Sequence, residues 1–97
     1  MIDWKRIGGF DWDEGNARKS VDKHDASQGE AEQMFFNEPL LMVPDTRHSV
    51  VEQRIHALGR TDDGRLLHIT FTLRDSERKI RVIWARDMSR KERSYYE

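Results

Sequence analysis

The sequence predicts an α+β domain: two N-terminal helices, an antiparallel β-sheet of about four strands and a short C-terminal helix. Three observations carry this. Apolar residues recur at helical spacing before Leu40 and alternate beyond it. The pattern Ser-x-x-Glu, in which a serine oxygen takes the third helical amide and the glutamate reaches back, occurs at Ser27–Glu30 and again at Ser89–Glu92. Between two alternating stretches, Thr61-Asp62-Asp63-Gly64 places glycine where a tight turn needs positive φ.

In chain order, Trp12, Ala17, Val21 and His24 mark a helix over Glu14 to His24, with acidic residues in the first turn where the helix dipole favours them. A second helix is expected over Gln28 to Phe36, presenting Ala31, Met34 and Phe35 on one face. Leu40 to Val43 reads as a short strand ended by Pro44-Asp45, and Glu52 to Gly59 as the next. Beyond the turn, Leu66 to Leu73 sets Leu67, Ile69, Phe71 and Leu73 against His68, Thr70 and Thr72. Lys79 to Ala85 is the last strand, its alternation placing Ile80, Val82 and Trp84 together against Arg81 and Ile83. The second capping box starts a basic helix that ends near Tyr95 and Tyr96. Phe10, Trp12, Phe35 and Phe36 are expected in the core.

Ninety-seven residues without repeat or linker are expected to form one domain, 1–97, with room for one core and not for a deep cleft between lobes. There is no cysteine, so disulfide frameworks, thiolate nucleophiles and thiolate zinc sites are excluded. No stretch approaches the roughly 20 apolar residues of a membrane span, and Met1 to Gly9 lacks the apolar run of a signal peptide; a cytoplasmic protein is expected. The net charge of −1 hides a division. Residues 1–45 carry five basic and ten acidic side chains, whereas residues 46–97 carry twelve and eight. Ten of the twelve arginines lie in that second part, and arginine is the side chain suited to forked hydrogen bonding with phosphate.

Four groups of residues have chemistry to offer. The histidines, His24, His48, His56 and His68, titrate near neutrality, but none pairs at i, i+4 on a helix with a carboxylate, so no metal site is expected and each is read first as a packed or surface residue. Arg54, Arg60, Arg65, Arg81 and Arg86 lie in or beside consecutive strands, and those on one face form a cluster that persists only beneath something anionic. The competing reading pairs them with Glu52, Asp63, Asp75 and Asp87. The segment Arg90-Lys91-Glu92-Arg93-Ser94-Tyr95-Tyr96 is either a solvated helix or a surface for RNA or a partner. The aromatic residues near the N-terminus are read as packing. No Gly-rich phosphate loop or nucleophile elbow is present.

Phe10-Asp11-Trp12-Asp13-Glu14-Gly15-Asn16, Lys19, Lys23-His24, Glu30-Ala31 and Phe35-Phe36 follow one another in a pattern continued by Ala57-Leu58-Gly59-Arg60-Thr61-Asp62-Asp63-Gly64-Arg65, Phe71-Thr72, Ile80-Arg81-Val82-Ile83 and Ala85-Arg86-Asp87-Met88-Ser89-Arg90-Lys91-Glu92-Arg93. The whole closely resembles the BrnT family of ribonuclease toxins from type II toxin–antitoxin pairs, from about Phe10 to Tyr96. The resemblance implies a RelE-like fold and RNA cleavage that needs no metal or other cofactor, with inhibition of translation and growth. It also implies a BrnA-type antitoxin in an assembly with two copies of each chain, whose antitoxin part binds operator DNA.

Cleavage without metal means that the 2′-hydroxyl attacks its own phosphorus, so the site must take up one proton, supply another and stabilise the crowded phosphate. The resemblance implies arginine, lysine and tyrosine in these roles rather than a histidine pair. Phosphate stabilisation is accordingly expected from Arg60, Arg81 and Arg86, and proton transfer from Lys23, His24 or Tyr96. Arg54, Arg65, Lys19, Arg90 and Arg93 are expected to contact RNA. The sequence departs from the family at Ser20, often asparagine, at Asp25, after the histidine where glycine is common, and at Trp84, where a small polar residue is usual. Two other readings stand beside the toxin: a module without turnover that serves as the antitoxin's partner in transcriptional control, and a nucleic-acid-binding protein that binds RNA without cutting it.

Overall fold

The computed structural model describes residues 4–12, 26–45, 47, 53–74 and 76–97. A single 3-10 turn, Trp4–Arg6, precedes strand β1, Gly9–Phe10. Helix α1 spans Gln28–Met34, and strands β2, Leu41–Asp45, β3, Arg54–Arg60, β4, Leu66–Arg74, and β5, Lys79–Asp87, lead to helix α2, Arg90–Tyr96. The α+β class is as expected. The expected pair of N-terminal helices is not matched: only α1 is present among the described residues, and the segment Glu14 to His24 lies outside them.

Both capping boxes form. Glu30 N donates to Ser27 Oγ at 3.2 Å while Ser27 N donates to Glu30 Oε1 at 3.1 Å, and Glu92 and Ser89 repeat the exchange at 3.2 and 2.9 Å. The β3–β4 turn also follows the sequence. Gly64 has φ 87° and its amide donates to Thr61 O, while Thr61 Oγ1 accepts from Arg65 N at 3.0 Å.

The sheet has five strands in the order β1-β5-β4-β3-β2, not about four, and it is mixed, not wholly antiparallel. Strand β1 runs parallel to β5, with Phe10 opposite Ile80. Two residues are too few to show a period, which is why alternation does not reveal this strand. Strand β2 runs on through Pro44 to Asp45, beyond the stop expected there. It is an edge strand, and an edge tolerates a residue without an N–H because half of its amides face away from any partner.

The β4–β5 register moves Trp84 to the face opposite the one that simple alternation gives it. Thr70 lies opposite Trp84 and Phe71 opposite Val82, so Ile83 is an extra residue that bulges β5. Beyond it the alternation is inverted. Ile80, Val82 and Ala85 point into the core, and Trp84, grouped with the first two by simple alternation, shares the opposite face with Arg81 and Arg86.

The core lies between α1 and one face of the sheet, where Ala26, Ala31 and Met34 meet Ile55, Ala57, Leu67, Ile69 and Phe71. Phe10, Trp12 and Phe35 pack against it, with Phe35 edge-on to Phe71 at 5.1 Å between centroids and Trp12 Nε1 donating to Glu32 at 2.8 Å. Phe36 is the exception: it is exposed, because α1 has ended and turned it outward. Gly59 lets the helix approach, since a Cβ there would stand 2.5 Å from Met34 Cγ. Gly59→Ala is therefore expected to cost about 1–3 kcal/mol through overpacking, read as a lowered midpoint in urea denaturation.

Candidate active site on the polar sheet face

The face of the sheet away from α1 is built by alternation and strand register. Arg54 and His56 come from β3, His68, Thr70 and Thr72 from β4, and Arg81, Trp84 and Arg86 from β5. His56 lies opposite Thr70, and His68, two residues earlier on β4, is its diagonal neighbour; His68 lies opposite Arg86. Diagonal neighbours are within reach of one another when the side chains are aromatic.

The two imidazoles meet directly. His56 Nδ1 stands 3.0 Å from His68 Nε2 and 2.9 Å from Thr70 Oγ1, with the rings nearly perpendicular at 79°. Each histidine is backed by a carboxylate on its other nitrogen. His56 Nε2 is 2.9 Å from Asp45 Oδ2, and His68 Nδ1 is 2.6 Å from Glu92 Oε2. Asp45 is buried and its second oxygen accepts from Arg47 N at 3.2 Å. The four residues form one file, Asp45–His56–His68–Glu92, drawn from three strands and α2.

Arg86 closes the far end of the file. Its guanidinium grips Glu92 with two parallel bonds, Nη1 to Oε1 at 2.9 Å and Nη2 to Oε2 at 3.0 Å, and also donates to Asp87 O. Burial opposes ionisation of Glu92, yet hydrogen bonds from Arg86, the Ser89 amide and His68 hold its carboxyl down to about 2. Burial pushes the His68 imidazole below its ordinary value, partly countered by Glu92 and reinforced by the charge of Arg86. The His56 side chain is 36% exposed and that of His68 14%, so His56 is the imidazole a substrate can reach.

The arrangement brings together some of the expected residues and not others. Arg86 closes the file, and Arg54 and Arg81 flank it on the same face, Arg81 also pairing with Asp11 at 3.5 Å. Arg60 lies at the exposed end of β3, where its charge acts on Tyr96. The Tyr96 hydroxyl is committed to Pro39 O at 2.6 Å, and burial raises its pKa. Arg65 is placed away from this cluster. It bridges Glu30, at 3.0 Å, and Asp87, at 2.7 Å, tying α1 to the end of β5, and those partners raise its pKa. Arg90 and Arg93 are exposed on α2. Lys19, Lys23 and His24 lie outside the described residues, as do Ser20 and Asp25.

Asp45 and Glu92 are the partners that sequence reasoning missed, and His56 and His68 had no assigned role. Glu92 was visible as the glutamate of a capping box, but its second task depends on how α2 packs. Among the described residues no three His, Asp or Glu side chains are grouped to hold a metal ion. A groove of about 1060 Å³, lined by Phe10, Phe35, Leu40 and Arg60 among others, has no histidine in its lining. No described helix is long and apolar enough to cross a membrane.

A small α+β domain that sets two bonded imidazoles among guanidinium groups on one sheet face is equipped to hold phosphate and to move protons, as a nucleic-acid-cleaving enzyme must. The family model described as "Ribonuclease toxin, BrnT, of type II toxin-antitoxin system" matches residues 12–92, a span that contains the whole file, and the chain belongs to that family. The family makes it a ribonuclease toxin, with RNA as substrate and an antitoxin as partner. No curated protein sequence matches the chain significantly.

Proposed function

We propose that the protein is a cytoplasmic endoribonuclease that cuts RNA without a metal ion and works on the polar sheet face. The observation that carries this is the bonded pair His56–His68, held between Asp45 and Glu92 and flanked by Arg54, Arg81 and Arg86. The 2′-oxygen attacks the adjacent phosphorus and the bond to the 5′-oxygen breaks, leaving a 2′,3′-cyclic phosphate and a 5′-hydroxyl. His56 is the proton-transfer group that meets the substrate, and His68 supports it from behind. The other proton transfer is assigned to Lys23 or His24. Arg81, Arg86 and Arg54 share the charge that grows on the phosphate, and Trp84, beside them, offers a flat surface for a base.

Arg60 with Tyr96, and Arg90 with Arg93 on α2, extend the positive surface along which the RNA backbone runs; Arg65 serves the fold. Neutralisation falls to a BrnA-type antitoxin, in an assembly of two toxin and two antitoxin chains that reaches operator DNA through the antitoxin. Purified protein incubated with labelled RNA and EDTA tests the activity: fragments bearing cyclic phosphate ends support it, and cleavage abolished by the chelator contradicts it. Growth arrest on induction, relieved by the antitoxin, separates the toxin from a module without turnover.

A further inference from the structure

The number of hydrogens in the file Asp45–His56–His68–Glu92 follows from its heavy-atom distances. It contains three donor–acceptor gaps, of 2.9, 3.0 and 2.6 Å, and each needs one proton between its heavy atoms. Two neutral imidazoles supply two protons. Neither outside donor removes the deficit. If Arg86 Nη2, 3.0 Å away, bonded His68 Nδ1, that nitrogen would turn a bare lone pair toward a carboxylate oxygen 2.6 Å away. If Thr70 Oγ1, 2.9 Å away, donated to His56 Nδ1, the 3.0 Å gap to His68 Nε2 would still need a proton of its own. His68 therefore donates through Nδ1 to Glu92 and accepts through Nε2, in line with burial, which disfavours its charged form. His56 must then donate through both nitrogens, to His68 and to Asp45. The ionisable groups around the pair are Asp45 from β2, Arg54 from β3, Arg81 and Arg86 from β5, and Glu92 and Tyr96 from α2; three guanidinium groups face two carboxylates, so the hydrogen-bond geometry, not the net charge, calls for the third proton. Arg86 binds Glu92 at one end of the file, and at the other Asp45 meets His56 and lies opposite Arg54 in the β2–β3 register.

We infer that Asp45 is a positioning residue that keeps the file loaded with a third proton, so that His56 stands as an imidazolium and serves as the general acid in RNA cleavage. The inference rests on the ribonuclease reading for its chemical consequence, but not for the proton count. In the reaction the bond from the 2′-oxygen to phosphorus forms, the bond to the 5′-oxygen breaks, and the His56 proton passes to that oxygen. The base assigned above takes the 2′-hydroxyl proton, so the proton balance closes. Asp45 touches no substrate.

Asp45→Asn tests this directly. The asparagine oxygen can keep the bond from Arg47 N while its amide donates to His56 Nε2, so the file is satisfied by two neutral imidazoles and the third proton is no longer required. Nitrogen-15 spectra of the histidine side chains near neutral pH are expected to show both His56 nitrogens protonated in the wild type and one of them bare in the variant. Cleavage by the variant is expected to fall by about 10²-fold in kcat with little change in KM, and its decline with rising pH to begin at lower pH than in the wild type. A purely structural role would scale the rate equally at every pH. Two neutral imidazoles in the wild type, or an imidazolium that survives in Asp45→Asn, would overturn the inference. A wild-type protein with the expected spectra but no cleavage would instead refute the ribonuclease reading and leave the proton count standing.

Discussion

His56→Ala is expected to lower the single-turnover rate of RNA cleavage by about 10²–10⁴-fold, the range that a positioned acid or base contributes. The reason is its place in the file. His56 combines solvent access with bonds to Asp45 Oδ2 and His68 Nε2, and an imidazole can both give and take a proton. The variant leaves the buried Asp45 carboxylate without that partner, at a stability cost of about 1–3 kcal/mol, so rates are to be compared under conditions where urea denaturation shows both proteins folded. RNA affinity should change little, because the guanidinium groups of Arg54, Arg81 and Arg86 remain. An undiminished rate would remove His56 from the chemistry.

Glu92→Gln is expected to have the largest effect on stability. One carboxylate accepts from the Ser89 amide, from both Arg86 nitrogens and from His68, so it caps α2 and orients two residues of the site at once. Its folded pKa of about 2, against an ordinary 4.5, means that its ionised form is bound more tightly in the folded protein than in the unfolded chain. That contribution is complete above about pH 4.5 and is lost as the pH falls from there toward 2. It amounts to about 3 kcal/mol at most. Urea denaturation across this range should show the wild type losing stability steeply and Glu92→Gln, already weaker at neutral pH by about 2–3 kcal/mol, losing less. Parallel curves for the two proteins would show that Glu92 is not the group responsible. Cleavage should fall as well, since Arg86 and His68 lose their common anchor.

What the sequence reveals about this fold depends on how local each determinant is. The two capping boxes and the Thr61–Gly64 turn are set by three or four consecutive residues, and all three form as expected. Trp84 was misplaced because the bulge at Ile83 arises from pairing with β4, and a single inserted residue inverts every side chain beyond it. Strand β1 is too short to have a pattern, and Pro44 continues β2 because that strand has an edge, which is a property of the whole sheet.

The site divides in the same way. Arg81 and Arg86 were legible as strand arginines, and their placement on one face follows from the bulge. His56 and His68 are separated by a turn that was itself legible, and once the turn is located His56 lies opposite Thr70, with His68 one diagonal away. That register was the signal available for the pair. Asp45 had no such signal, because it reaches His56 only when β2 runs through a proline and pairs with β3. For Arg65, the sequence offers RNA contact and, as the competing reading, an ion pair with an acid such as Asp87; the structure pairs it with Glu30 and Asp87.

The central claim is that the histidine pair on the polar sheet face performs metal-free RNA cleavage. Its most direct test is end-group analysis of labelled RNA after incubation, in EDTA, with the wild type and with folded His56→Ala. The account predicts fragments with 2′,3′-cyclic phosphate and 5′-hydroxyl ends from the wild type and almost none from the variant. Fragments ending in 5′-phosphate, or equal yields from both proteins, would contradict it.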